Sequence, residues 1–239
     1  MLVNKTFFVW AHRGASATAP ENTLAAFAAA EDAGADGIEL DVHLSRDGVP
    51  VVIHDVTVDR TTSGCGAVAR LNLTDLRRLD AGSWFSPRFA GELVPTLEEV
   101  LHWAEGRLRL NLEVKEHAAG RAILELLPRY PRARVLISSF DHKLLAALRQ
   151  VDPALPLGFL VESIFWRGAV RRAVSAGAES LNPRYDLISR PLLTACRRHG
   201  LAVYPWTVDA PRQIAGLARL GVDGIFTNDP LQVVALRQA

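Results

Sequence analysis

Two stretches of this chain carry polar residues, acids among them, at every second position. Residues 37–44 read GIELDVHL, which in an extended strand puts Glu39, Asp41 and His43 on one face and Ile38, Leu40 and Val42 on the other. Residues 109–115 read RLNLEVK and repeat the device, with Asn111, Glu113 and Lys115 on one face and Leu110, Leu112 and Val114 on the other. If the two strands share a rim, Glu39, Asp41 and Glu113 meet there. Like charges about 4 Å apart repel by roughly 4 kcal/mol at an effective dielectric of about 20, and Lys115 alone cannot offset three acids. A hard divalent cation held by the three carboxylates answers that deficit. Ligation by oxygen alone suits Mg²⁺ or Ca²⁺, with Mn²⁺ a further candidate. The alternative is a set of surface acids at a sheet edge with Lys115 as their partner.

Two histidines fall near the same predicted strand ends. His12 opens the segment HRGASATAPENT (12–23) after the first strand-like run, and His54 precedes Asp55 after VVIH (51–54). Two imidazoles titrating near neutrality can serve as acid and base on opposite sides of one reaction. Arg13 adds a forked cation suited to phosphate and Lys115 a point charge. Cation, guanidinium, ammonium and paired imidazoles describe phosphoryl transfer better than acyl transfer. The sequence holds no Gly-x-Ser-x-Gly elbow and no His-Glu-x-x-His helix.

Something must bring these segments together. Strand-like runs occupy residues 6–12, 37–44, 109–115, 134–140, 155–161, 179–183, 201–208 and 223–228, with helix-period segments between them. Pro20-Glu21 is expected to open the first helix and Gly34 to close it, and Thr96 with Glu99 forms a capping-box pattern. Eight alternating units in 239 residues predict an α/β fold, a (β/α)₈ TIM barrel running as one domain over residues 1–239. An open doubly wound sheet is the rival, weakened by the absence of Gly-x-Gly-x-x-Gly after the first strand. The excursion at 55–95 breaks the rhythm and reads as a small insertion between the second and third strand-helix units. Asn22 is expected to help cap the first helix, with orientation of the His12 loop as the alternative. Phe140 and Trp206, near strand ends, either wall the substrate site or pack in the core. Trp84, Phe85 and Phe89 are expected to bury the insertion against the barrel.

Composition limits the function classes. The chain has 27 Lys and Arg against 26 Asp and Glu, so no global field favours nucleic acid or an anionic membrane, and Arg197 and Arg198 read as a solvated helix face. Cys65 and Cys196 have no metal or redox spacing. The apolar run at 6–11 is short for a signal segment, and none reaches the ~20 residues of a membrane span. The expectation is a cytoplasmic protein with no nucleic-acid partner and no stable membrane insertion, as monomer or homodimer.

HRG with PENT, ELDV with a later HD, RTTSGCG, LDAGSWF, PTLEE, LNLEVK, SSF and GIFTND occur in that order from Trp10 to Pro230. Together they resemble the glycerophosphodiester phosphodiesterase family of the small bacterial type. The resemblance implies a barrel with a small insertion and a small-molecule glycerophosphodiester substrate, cleaved to sn-glycerol 3-phosphate and an alcohol. It also implies His12 and His54 as the acid/base pair, Glu39, Asp41 and Glu113 as ligands of Mg²⁺ or Ca²⁺, and Arg13 and Lys115 as phosphate contacts. A lysophospholipase D-like lipid phosphodiesterase and a non-catalytic phosphate-ester binding protein remain as rivals.

Overall fold

A computed structural model describes residues 6–238. Its barrel is built from parallel strands β1 (Phe8–His12), β2 (Gly37–Leu44), β4 (Arg109–Val114), β5 (Arg134–Ser139), β6 (Leu157–Val161), β7 (Ser180–Pro183), β8 (Ala202–Val203) and β9 (Gly224–Thr227). The short β3 (Pro50–Val52) pairs antiparallel with β2 outside that circuit. Helices α1 (Leu24–Asp32), α3 (Leu97–Ala104), α4 (His117–Leu126), α5 (His142–Val151), α6 (Trp166–Ser175), α7 (Arg190–Arg198), α8 (Pro211–Leu220) and α9 (Pro230–Gln238) alternate with the strands. A four-residue α2 (Leu73–Leu76) lies in the excursion after β3. The result is a TIM barrel of eight parallel strands, with β8 and β9 joined by single backbone bonds such as Phe226 N–H to Pro205 O (2.9 Å).

Alternation along the strands divides the interior from the shell. Ile38, Leu40 and Val42 of β2 and Leu110, Leu112 and Val114 of β4 are buried in the large core that includes Phe27 of α1 and Leu97 and Leu101 of α3. Each such side chain contributes about 1.5–3 kcal/mol on burial. Inside the barrel, Trp10, Leu136, Tyr204 and Phe226 form a separate apolar plug, with Trp10 stacked on Phe226 at 5.8 Å. The Arg109 guanidinium donates two bonds to the Glu179 carboxylate, at 2.5 and 2.6 Å. Parallel register pairs His12 with Glu39 and Asp41 with Glu113, so the polar faces of β1, β2 and β4 arrive at one rim.

Three local expectations change. The seventh strand-like run is expected over 201–208, yet only Ala202–Val203 (β8) is regular, because Pro205 offers no N–H for the ladder. Helix α1 begins at Leu24, not at Pro20-Glu21: Asn22 has φ 58°, a left-handed conformation that cannot continue into a helix, and Thr23 is the cap. The aromatic loop is only partly covered, with Trp84 40% exposed and Phe85 packed edge-on against both Trp84 and Phe89. The excursion between β3 and α3 has a small core of its own, including Val58, Val68, Leu76 and Val94.

Candidate active site

The turn after β1 is compressed. Arg13 has φ 57° and Gly14 φ 82°, and a Cβ on Gly14 would stand 2.7 Å from the backbone of Ala26, so only glycine fits. This bend brings the Arg13 backbone N–H onto Glu39 Oε2 at 3.0 Å. The Arg13 side chain donates from Nη1 to Glu21 Oε1 at 2.9 Å, and its Nε stands 3.4 Å from Asp41 Oδ2. Asn22 is committed to the same acid: its Nδ2 donates to Asp41 Oδ2 at 2.9 Å, and its Oδ1 accepts from the Asp41 backbone N–H at 3.3 Å. Orienting an acid at the site, not capping a helix, is therefore what the Asn22 side chain does.

Oxygens of Glu39, Asp41 and Glu113 lie within 4.8 Å of one another. Lys115 Nζ is 2.7 Å from Asp41 Oδ1 and also contacts Glu113 Oε1. Burial pushes the Asp41 carboxyl upward, but Lys115 and Arg13 outweigh it and hold that carboxyl well below the usual range. Glu39 moves the other way, raised well above its ordinary value by burial and then by Asp41 and Glu113. Burial and Asp41 likewise raise Glu113. Arg13 thus joins Lys115 as a second cation, yet two cations against three acids still leave one negative charge in excess. Glu39 Oε1 is buried with no hydrogen-bond partner among the described residues. An all-oxygen donor set, an orphaned carboxylate oxygen and an uncompensated charge fit a hard divalent cation.

Hydrogen bonds fix the histidine tautomers. Asn228 Nδ2 donates to Asp209 Oδ2 at 2.7 Å, which turns its Oδ1 toward His12 Nδ1 at 2.8 Å. An amide oxygen can only accept, so His12 carries its proton on Nδ1 and leaves Nε2 bare, 3.9 Å from Glu39 Oε2. Burial first, and the Arg13 charge second, lower the His12 pKa to about 4. His54 instead donates Nδ1–H to Asp55 Oδ1 at 2.7 Å. Asp55 accepts from Arg60 Nε at 2.6 Å, and Arg60 reaches on to both oxygens of Glu21 at 2.8 and 2.9 Å. His43 supports this side from below, its Nε2 bonding the His54 carbonyl at 3.1 Å.

A cavity of about 240 Å³ gathers these groups. His12, Arg13, Glu39, His54, Glu113, Lys115, Phe140 and Trp206 all line it, and Asp41 is buried behind them against Lys115 and Asn22. Phe140 and Trp206 meet edge-to-face at 5.5 Å, with Phe140 42% exposed, so neither is an ordinary core side chain. Sequence reasoning missed Glu21, Arg60, Asp209 and Asn228 as supports. Glu21 and Asn228 stand inside the motifs PENT and GIFTND, a signal that those segments matter; their partners lie up to 216 positions away and leave no local trace.

Known proteins resemble this chain along nearly its whole length. A glycerophosphodiester phosphodiesterase of Caldanaerobacter subterraneus subsp. tengcongensis is 41% identical, over 95% of this chain and 96% of that protein. One from Bacillus subtilis is 34% identical, over 92% and 83%. Among solved structures, an Oleispira antarctica phosphodiesterase in complex with the product sn-glycerol-3-phosphate superposes with a TM-score of 0.91 at 30% identity, covering 97% of each chain. A glycerophosphodiester phosphodiesterase from Agrobacterium tumefaciens gives 0.86 at 31%, over 96% of this chain and 99% of that one. The sequence profile of the glycerophosphoryl diester phosphodiesterase family matches residues 12–232, and the chain belongs to that family of hydrolases.

Proposed function

We propose that this chain is a divalent-cation-dependent glycerophosphodiester phosphodiesterase that releases sn-glycerol 3-phosphate and an alcohol. One observation carries the reading: two imidazoles, each anchored through Nδ1, line the same small cavity as Glu39 and Glu113 of the three-carboxylate cluster. Glu39, Asp41 and Glu113 hold the cation, Mg²⁺ or Ca²⁺ by donor type, which supplies Lewis-acid polarisation and charge neutralisation when bound. Arg13 and Lys115, poised over the same acids, face the phosphoryl oxygens.

The unequal partners of the histidines support distinct roles for them. His12, neutral and hydrogen-bonded to an amide, takes the proton of the substrate's glycerol hydroxyl on Nε2 as that hydroxyl attacks phosphorus. His54, whose Nδ1–H faces the Asp55 carboxylate, gives its Nε2 proton to the departing alkoxide. A cyclic phosphate results, and water opens it with the roles reversed: His54 accepts the water proton and His12 returns its own to the glycerol oxygen. The Phe140–Trp206 pair walls the side of the cavity where the organic part of the substrate rests.

The test is turnover of several glycerophosphodiesters by chelator-treated protein resupplied with Mg²⁺, Ca²⁺ or Mn²⁺. Alcohol release that depends on the ion is the expected result. No release with any of the three at high enzyme concentration would leave a phosphate-ester binding protein. Faster turnover of lysophosphatidylcholine than of glycerophosphocholine would make it a lysophospholipase D.

A further inference from the structure

Phe140, Leu160 and Glu162 line the catalytic cavity and also a second hollow of about 540 Å³ beside it. Its outer wall is the loop from β6 to α6, whose tip carries Ile164 and Phe165. These are 71% and 80% exposed, the two most exposed large apolar side chains among the described residues. Neighbouring apolar side chains held in water at a loop tip have no packing reason to be there.

Behind the tip the surface is basic. Arg167, Arg171 and Arg172 of α6 are exposed, and a further hollow of about 610 Å³ separates this helix from Arg190 and Arg198 of α7. Neither helix contains an acid, and none of the five arginines forms an ion pair with another described residue. Arg167 lies over the Trp166 ring at 4.5 Å, and Arg172 donates to His142 at 3.0 Å; both contacts leave the charge uncompensated. Glu162 is the one exposed acid at the loop. A chain with net charge +1 has therefore concentrated unopposed positive charge on one flank and set an apolar tip at its edge.

We infer that the α6–α7 flank, with the Ile164–Phe165 tip, is a docking surface for an anionic phospholipid bilayer. Arginines attract the negative surface over roughly a Debye length, and the tip enters the headgroup–acyl boundary. Five cations with a two-residue tip give reversible peripheral attachment, and among the described residues no helix is long and apolar enough to cross a membrane. Because the tip adjoins the hollow that shares its lining with the catalytic cavity, docking sets the mouth of the site beside the bilayer surface. An aliphatic Ile164 next to Phe165 favours lipid over nucleic acid, to which an aliphatic side chain offers no stacking face.

The whole chain is sedimented with vesicles of phosphatidylcholine, alone or with about a third phosphatidylglycerol, at low and high salt. The expected result is retention on the anionic vesicles only, weakened by salt. Phe165→Ser and, separately, Arg171→Glu with Arg190→Glu each lower the partition coefficient about tenfold or more. Both variants turn over a soluble glycerophosphodiester like the parent, which shows they are folded and keeps this test apart from the catalytic reading. Absence of binding at low salt overturns the inference, as does binding indifferent to either substitution. Retention on a duplex oligonucleotide that equals retention on vesicles and ignores Phe165→Ser assigns the flank to nucleic acid and also overturns it.

Discussion

The two histidines of the cavity are the same residue in opposite settings. His12 ends a barrel strand and hangs from Asn228, an amide fixed by Asp209, whose carboxylate accepts from the Asn228 backbone and side chain and from Thr227 Oγ1. His54 sits where the chain leaves the barrel for the excursion and hangs from Asp55, a carboxylate that Arg60 ties to Glu21 of the β1–α1 loop. An amide acceptor holds the ring in one tautomer, and burial, then the Arg13 charge, outweigh its support for the charged form and keep His12 neutral. A carboxylate acceptor instead fixes the His54 ring through its Nδ1–H. In the proposed reaction, the atom on the far side of each ring is what separates the starting base from the starting acid.

The largest effects come from deleting either ring. His12→Ala and His54→Ala are each expected to reduce kcat about a hundredfold or more, the scale of a positioned acid or base. Equal loss in both, measured with saturating cation, fits a proton passing through each; a variant retaining most of its activity would remove that ring from the chemistry. Exchanging the supports is the sharper experiment. Asn228→Asp puts a carboxylate against His12 and raises its pKa from about 4. Since the base must be neutral, the acidic limb of the kcat–pH profile should move to higher pH, by about one unit. Asp55→Asn removes charge from the other side and should lower kcat about tenfold to a hundredfold with little change in KM. If Asn228→Asp left the profile in place, the asymmetry between the two supports would carry no catalytic meaning.

The barrel half of this comparison was far more legible in the sequence than the excursion half. Polar side chains at alternate positions on β2 and β4, with aliphatic ones between them, announce both the strand and its inner face, because extended chain has a period of two residues. What that period leaves open is register, and register is what sets His12 beside Glu39 and Asp41 beside Glu113. Supports that bridge distant segments leave no periodic signature. Arg60 reads as one more exposed arginine until the fold places it between Asp55 and Glu21. Asn22 reads as a cap because asparagine before a helix usually is one, but its positive φ turns the amide inward to Asp41. A balanced total charge conceals the α6–α7 flank for a similar reason: a sum over the chain discards position.

Arg60 offers a finer cut through the His54 side. It touches neither the cavity nor the acids of β2 and β4, so Arg60→Ala acts only through the groups it joins. Asp55 loses the partner that holds it against His54, and Glu21 turns its full charge on Arg13. The expected fall in kcat is about tenfold, smaller than that of Asp55→Asn because the His54–Asp55 bond survives. Arg60→Lys restores a charge without the fork and should recover part of the loss, since one ammonium cannot hold both carboxylates in the same geometry. A purely structural Arg60 would lower the melting temperature in step with kcat; a positioning one lowers kcat in protein that melts normally.

The smallest effect separates the two regions by acid sensitivity. In the excursion, Asp80 accepts backbone N–H bonds from Ser83, Gly91 and Gly82, which together hold its carboxyl below the ordinary range. Arg60, and then the His54 bond, draw Asp55 down to about 2 against the opposing effect of burial. A carboxyl whose folded pKa is depressed stabilises the folded state above its unfolded pKa, near 4, and that contribution fades as pH falls through the folded value. Glu39 and Glu113 in the barrel have the opposite sign: their raised values mean the folded state binds protons more readily than the unfolded chain, so moderate acid relieves their repulsion. Backbone exchange should therefore rise first around Gly82 and Gly91 as pH drops from about 4 to about 2, while β2 and β4 stay protected. The Gly91 N–H and the Ser83 hydroxyl lose their acceptor when Asp80→Asn turns Oδ2 into an amide NH2, so that variant should show local opening around Gly91 already at neutral pH. Simultaneous loss of protection in both regions would mean that the excursion and barrel open as one cooperative unit, and the separate core around Leu76 would then have no energetic independence.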